Sequence, residues 1–318
     1  VARSRVAVTL GDPRGIGPEV SLRALRTLRA ADPSISVVLL GPEDLLRAFP
    51  ADMERVPVDG WDGTEEGAGR ASAAALETAA ALALEGGVGA VVTAPVHKPA
   101  LHRAGRTFPG QTEMLQHLTG ADHVGMLMCA EKTRLGGALR VLLATTHLPL
   151  RNVADAVTTD LLVDQAVLLH RGLTQDWAMP SPRLALCALN PHASDQGLFG
   201  DEEERVFLPA VARLRALGVE VSPPLPADTV FGRALAGAYD AVLAPYHDVG
   251  MAAFKTASFG SGVNVTLGLP FIRTSPDHGT AFDLAAHPGR ADASSMEEAL
   301  RLALVLSRNR FDSRDAGV

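Results

Sequence analysis

The stretch RVAVTLGDPRGIGPEV, Arg5–Val20, joins an apolar run to a helical pattern through a turn rich in glycine and proline. The run RVAVTL is short and almost continuously apolar, as expected of a strand buried on both faces. Pro18 suits the first position of a helix, where its missing N–H costs nothing. Glu19 complements the positive end of the helix dipole. Strand, tight turn and helix make the opening unit of an α/β fold. The turn fits neither common phosphate loop. A dinucleotide fingerprint starting at Gly15-Ile-Gly17 needs a third glycine where Val20 stands, and a P-loop needs a lysine that the stretch lacks.

The same alternation runs outward along the chain. SVVLLG (36–41), GAVVTAP (89–95), VGMLMCA (124–130), RVLLATTH (140–147), RLALCALN (183–190), DAVLAPYH (240–247) and VNVTLG (263–268) read as buried strands. Helical patterns fall at Pro18–Arg29, Ala71–Glu85, Thr112–Leu118, Asn152–Arg171, Asp201–Leu217 and Ser295–Leu306. Asp59–Arg70 reads as a Gly- and Glu-rich surface loop, and Leu173–Arg183 as a connection. The expectation is an α/β fold with a mainly parallel sheet. No internal repeat or low-complexity tract is evident.

At 318 residues and 47% hydrophobic content, the chain can bury a large core without disulfide or metal staples. With 29 basic and 36 acidic residues the net charge is −7, which argues against a nucleic-acid binder. An anionic substrate then requires cations concentrated at one site. Cys129 and Cys187 lie in apolar strand-like runs and form no C-x-x-C pair, so they read as buried small hydrophobes. The N-terminal residues lack the apolar core of a secretion signal, and the Ala-rich segment 71–87 is too weakly apolar to span a bilayer. A cytoplasmic enzyme is expected.

Three of the ten histidines share one setting: His147, His192 and His247 each close an apolar strand on its C-terminal side. Ligands of open α/β sheets collect at the carboxyl ends of strands. Three imidazoles there suit a divalent metal with an open position, although each alone also suits an ordinary polar strand end. Nearby, His97 and Lys98 follow another strand. Gln111 and Thr112 stand at a helix start, where backbone amides favour an anion and where Thr112 equally fits a simple cap. Lys255, Asn264 and Arg273 lie in apolar, Gly-rich surroundings that suit a pocket lining better than a solvated face.

Together, the motifs GDPRGIGPE, TAPVHKPALHRAG, PGQTEML, ATTHLPLRNVADAV, LNPHASDQGLFGDEE, PADTVF, YHDVG and FKTASFGSGVNVTLGLPFIRTSPDHGTAFDLA resemble the 4-hydroxythreonine-4-phosphate dehydrogenase family of pyridoxal phosphate biosynthesis. They occur in order from about residue 6 to residue 307. That family is similar in turn to the isocitrate and isopropylmalate dehydrogenases. The resemblance implies two interleaved α/β lobes forming one catalytic unit over residues 1–318, with the active site in the cleft.

It also implies roles. His147, His192 and His247 match metal ligands, holding zinc, cobalt, manganese or magnesium in a homodimer whose metal site is shared between subunits. Gln111, Thr112, Lys255, Asn264 and Arg273 match substrate-contacting positions. Lys255, Asp248 and Asp228 match proton-handling or supporting groups. Gly15, Gly17, His278, Gly279, Thr280 and Asp283 match the segments near an NAD or NADP cofactor. The implied reaction is oxidation of a small phosphorylated alcohol, 4-phosphooxy-L-threonine, with decarboxylation to 3-amino-2-oxopropyl phosphate.

Two of the motifs depart from the pattern. The family has histidine before the threonine of PGQTEML, and here Gln111 stands there, unable to carry a positive charge or shuttle a proton near neutral pH. YHDVG is also atypical, since the family has Y-H-D-Q-G. Both changes keep open a related substrate, 4-phospho-threonate or an aromatic cis-dihydrodiol dicarboxylate. Readings outside the family are a three-histidine metallohydrolase, against which HGTAFD (278–283) argues, and a small-molecule binding module.

Overall fold

The computed structural model describes residues 5–315, and the chain divides into two compact units: Val1–Val124 with Val263–Val318, and Gly125–Gly262. In chain order the strands are β1 (Arg5–Thr9), β2 (Ser36–Gly41), β3 (Glu54–Pro57), β4 (Ala90–Thr93), β5 (Gly125–Ala130), β6 (Leu139–Leu143), β7 (Leu184–Cys187), β8 (Val221–Leu225), β9 (Ala241–Ala244), β10 (Val263–Leu267) and β11 (Ile272–Pro276).

The first unit has the strand order β3-β2-β1-β4-β11-β10, parallel throughout except for the antiparallel pair β10–β11. Both of its faces are covered. Ala7, Val38, Leu40 and Val91 pack with Leu76 and Ala80 of helix Glu65–Leu84 and Met114 and Leu115 of helix Gln111–Thr119. On the opposite face, Thr274 donates its hydroxyl to Ala299 O of helix Ser294–Asp315 at 2.8 Å. Burial on two faces explains the unbroken apolar runs, since a fully buried Val or Leu contributes about 1.5–3 kcal/mol.

The second unit has the order β5-β6-β9-β7-β8, with β5–β6 antiparallel and the remaining pairs parallel. Val141, Leu143, Ala185, Val242 and Ala244 pack against helices Ala227–Leu235 and His247–Ser258 through Val230, Phe231 and Phe254. Gly250 permits this: a Cβ there would stand 2.6 Å from Leu143 Cδ2. The mixed α/β architecture with mainly parallel sheet pairing matches the expectation from the sequence.

Several boundaries differ. Glu65–Arg70, expected in a loop, belong to helix Glu65–Leu84, which Thr64 caps by accepting the Gly67 N–H at 3.0 Å. The helix expected over Asn152–Arg171 is broken. Val153–Ala156 forms one short turn, and a new helix, Thr159–Gln175, starts after Thr158, whose hydroxyl accepts the Leu161 N–H at 3.2 Å. Asp201–Leu217 begins with a π-helical turn, Glu203–Phe207, before helix Leu208–Ala216. Cys129 and Cys187 are buried and unbridged, and burial pushes the Cys187 thiol up to about 12.

Candidate functional site

In the first unit, the chemistry gathers at the carboxyl end of β4. Arg273 on β11 pairs in register with Thr266 of β10 and with Val91 of β4. Side chains two apart along a strand share a face, so Thr93 lies on the same side. The guanidinium is enclosed between these hydroxyls: Nη1 donates to Thr266 Oγ1 at 2.9 Å and Nη2 to Thr93 Oγ1 at 2.7 Å. Arg273 is 3% exposed, and its Nε is buried with no partner. Burial pulls its pKa down to about 10, against the opposing pull of Glu113, so it remains a cation at neutral pH.

Asn264 pairs with Ser275, one step further along the same face, and its Oδ1 is likewise buried without a partner. Gln111 opens helix Gln111–Thr119. Its Nε2 donates to Ala94 O at 3.2 Å. A carbonyl accepts only, so the amide nitrogen must face Ala94 and the oxygen must face away. That oxygen, Oε1, is buried and unpartnered. Thr112 is the second residue of the helix, and Gly110 occupies the cap with no side-chain bond. Thr112 is therefore not the cap that its position in the sequence also allowed. The first-turn amides are left for solvent or a bound anion.

The opening turn belongs to this unit too. Asp12, fully buried, accepts from Arg14 Nε at 3.0 Å and from Arg14 Nη2 at 2.8 Å, and this bond raises the arginine pKa. The Arg14 guanidinium lies over the Phe282 ring at 5.0 Å, and His97 meets the same ring edge-on at 5.1 Å. Thr280 O accepts the Ile16 N–H at 2.9 Å, and a Cβ on Gly15 would stand 2.7 Å from that oxygen. Gly17 is equally confined, 2.3 Å from Leu10 O at the Cβ position. Gly15 and Thr280 are thus in contact, whereas Gly17 is a buried packing glycine. His278 has a buried, unpartnered Nε2, while Gly279 and Asp283 are exposed beside it.

The second unit carries the three strand-end histidines. His147 follows β6, and His247 opens helix His247–Ser258 after β9, which pairs with β6. Their ring centroids are 5.5 Å apart. They line a recess of about 220 Å³ with Thr146, Leu148, Tyr246 and Asp248. His247 Nδ1 stands 2.7 Å from Asp248 Oδ1. With the proton on Nδ1, the carboxylate accepts it and Nε2 keeps its lone pair, the arrangement typical of a metal-ligating imidazole.

His192 does not join them. Among the described residues, no three His, Cys, Asp or Glu side chains gather within this chain as a metal-holding group. His192 instead stands exposed on the loop after β7, its ring 6.4 Å from that of Phe199. Two imidazoles and an acceptor-oriented Asp248 fit a borderline divalent cation, but as an incomplete set. Lys255 is exposed two turns further along the helix that His247 opens, and Asp228 is exposed in the first turn of helix Ala227–Leu235.

Sequence reasoning missed Thr93, Thr266 and Arg14. Each has a signal in retrospect: a threonine inside an otherwise apolar buried strand, or an arginine two residues after an aspartate in a tight turn.

The family whose sequence model is described as "Pyridoxal phosphate biosynthetic protein PdxA" matches residues 27–303. The chain is 42% identical to a 4-hydroxythreonine-4-phosphate dehydrogenase of Burkholderia vietnamiensis, over 97% of this chain and 98% of that one. A solved 4-hydroxythreonine-4-phosphate dehydrogenase of Klebsiella pneumoniae superposes with a TM-score of 0.83 at 39% identity, covering 96% of this chain and 99% of the other. A terephthalate 1,2-cis-dihydrodiol dehydrogenase of Burkholderia xenovorans superposes with a TM-score of 0.68 at 25% identity, covering 95% and 98%. No helix among the described residues is long and apolar enough to cross a membrane.

Proposed function

The chain belongs to the pyridoxal phosphate biosynthetic protein PdxA family, and from that premise we propose that it oxidises the secondary alcohol of 4-phosphooxy-L-threonine, with loss of CO₂, to give 3-amino-2-oxopropyl phosphate. A dehydrogenase of this family uses a nicotinamide cofactor, NAD or NADP, which takes the hydride when bound. The observation that carries the choice of an anionic substrate is Arg273, a buried cation whose partners are two neutral hydroxyls. A charge desolvated in this way is stabilised when an anion arrives.

In this account Arg273, with the open amides of helix Gln111–Thr119, binds the phosphate or carboxylate. Thr112 and Asn264 orient it. Gln111 accepts a hydrogen bond from a substrate O–H or N–H. The side of the opening turn that carries Gly15, with His278, Gly279, Thr280 and Asp283, lies along the cofactor, and Gly17 keeps the turn packed. His147 and His247 would hold a divalent metal together with His192 from a second copy of the chain, and such a metal would supply Lewis acidity toward an oxygen of the substrate. Asp248 fixes the tautomer of His247. Lys255 and Asp228 hold or move protons at Nζ and at the carboxylate.

Gln111 supports a second substrate class, since it stands where the family has histidine and presents an acceptor. An aromatic cis-dihydrodiol dicarboxylate or 4-phospho-threonate also brings hydroxyl donors. The test is growth of the nicotinamide absorbance with each of the three compounds in turn, with divalent metal present. The proposal expects the largest kcat/KM with 4-phosphooxy-L-threonine. Preference for the aromatic diol contradicts it.

A further inference from the structure

The loop that carries His192 is held in an improbable conformation. Five consecutive non-glycine residues, His192, Ala193, Ser194, Asp195 and Gln196, have φ of 53°, 55°, 68°, 44° and 60°. A left-handed residue other than glycine costs on the order of 1–3 kcal/mol and persists only where its surroundings over-determine it. The backbone bonds of the run are local: Ala193 N–H to Asn190 O at 3.2 Å, Gly197 N–H to Ser194 O at 3.1 Å, Leu198 N–H to Asp195 O at 3.3 Å and Phe199 N–H to Ser194 O at 3.1 Å. These do not fix the run to the rest of the unit.

Glu203 does. It is 4% exposed and begins the π-helical turn Glu203–Phe207, whose Val206 and Phe207 are buried in the unit's core. Its Oε1 accepts the N–H groups of Leu189 and Asn190, both at 2.8 Å. Its Oε2 accepts Asn190 Nδ2 at 2.9 Å and the Ser194 hydroxyl. Four donors thus reach one carboxylate from both sides of His192, three from Leu189 and Asn190 before it and one from Ser194 after it. Burial works against the charge, yet the bonds from Asn190 and Ser194 outweigh it and hold the carboxyl below the usual range. Single π turns recur at functional sites, where they swing one side chain out of helical register. Here the π turn starts at the residue whose carboxylate holds the loop.

We propose that Glu203 is the positioning residue for His192: by anchoring Asn190 and Ser194 it holds the left-handed run that displays the exposed imidazole. The proposal rests on His192 serving as a metal ligand. An amide cannot replace the carboxylate, because one of its two ends donates, and two donors already meet at Oε2.

The experiment titrates Co²⁺ alone into the full-length metal-free chain and follows its visible ligand-field bands, with circular dichroism as the check on folding. The variants are Glu203→Gln, Ser194→Ala and His192→Ala. Outer partners of a ligand typically contribute 10–100-fold in metal affinity. The expectation is a loss of about that size for Glu203→Gln and a smaller loss for Ser194→Ala, each with weakened or shifted bands, and a larger loss for His192→Ala. Ser194→Ala serves alone should Glu203→Gln fail to fold. Wild-type affinity and spectra in both Glu203→Gln and Ser194→Ala, with binding lost in His192→Ala, overturn the positioning role and leave the ligand. Unchanged binding in His192→Ala overturns the ligand and the positioning role together.

Discussion

Arg273 and Thr266 face each other across the antiparallel pair β11–β10, and the guanidinium donates to the threonine hydroxyl at 2.9 Å. With Thr93 on the other side, a cation is buried in the sheet and held in place by groups that cannot neutralise it. Under the proposed function this arrangement is an anion receptor, and its charge is a burden to the empty protein.

Arg273→Met should therefore leave the ligand-free protein as stable as wild type or more so, since replacing an unpaired buried charge by an apolar group is often neutral or stabilising. The stabilisation by substrate or phosphate, about 2.7 kcal/mol at a hundred times Kd in wild type, should vanish. Thermal unfolding with and without ligand checks both. A retained ligand shift contradicts the receptor role.

Thr93→Val and Thr266→Val each remove one bond to the charged guanidinium, worth about 1.5–3 kcal/mol. Each should raise KM by about tenfold or more, with a smaller change in kcat. Steady-state kinetics decide. A fall in kcat alone would place these threonines elsewhere in the reaction.

Gln111 offers an unpartnered acceptor, so Gln111→Glu keeps the acceptor and adds a negative charge beside an anionic substrate. KM should rise by about ten- to a hundredfold, the range of a lost charged hydrogen bond. Gln111→His should restore the family residue and shift the preference among the three candidate compounds. Identical kcat/KM ratios across the panel would remove Gln111 from specificity.

Asp240 illustrates pH dependence away from the site. Burial raises its carboxyl, but Arg183 outweighs that through its backbone N–H at 2.7 Å, Nε at 3.1 Å and Nη2 at 3.0 Å, and the net pKa is lowered. A depressed folded-state pKa gives stability that is present above the unfolded value and lost as pH falls through the folded one. Asp240→Asn should cost about 1–2 kcal/mol at pH 7, and its difference from wild type should fade below about pH 4. Denaturant unfolding across pH measures this.

The strands that read clearly from the sequence are those buried on two faces, such as β1 and β4. Three did not. β8, VSPPL, carries two prolines, which its place at the edge of the second unit's strand order tolerates. β3 is a four-residue edge strand. β11, IRTSP, is polar because it carries the buried arginine. The strand-end histidines were legible as a group, yet only His147 and His247 meet. Register and strand order decide which loop ends come together, and neither is written in local pattern. Asp228 was legible by resemblance alone, whereas Lys255 also read as a pocket lining from its apolar surroundings and is exposed on its helix instead.

Subunit mixing most directly tests the claim that His147 and His247 of one chain are completed by His192 of another. His192→Ala and His147→Ala protein are each assayed alone, then co-refolded and assayed with the compound that wild type oxidises fastest. Each mixed dimer then holds one intact site, built from the first variant's His147 and His247 and the second variant's His192. The account predicts two inactive parents and recovery to about a quarter of wild-type activity after random reassortment into dimers. No recovery in a mixture shown to contain mixed dimers, or full activity of His192→Ala alone, contradicts it.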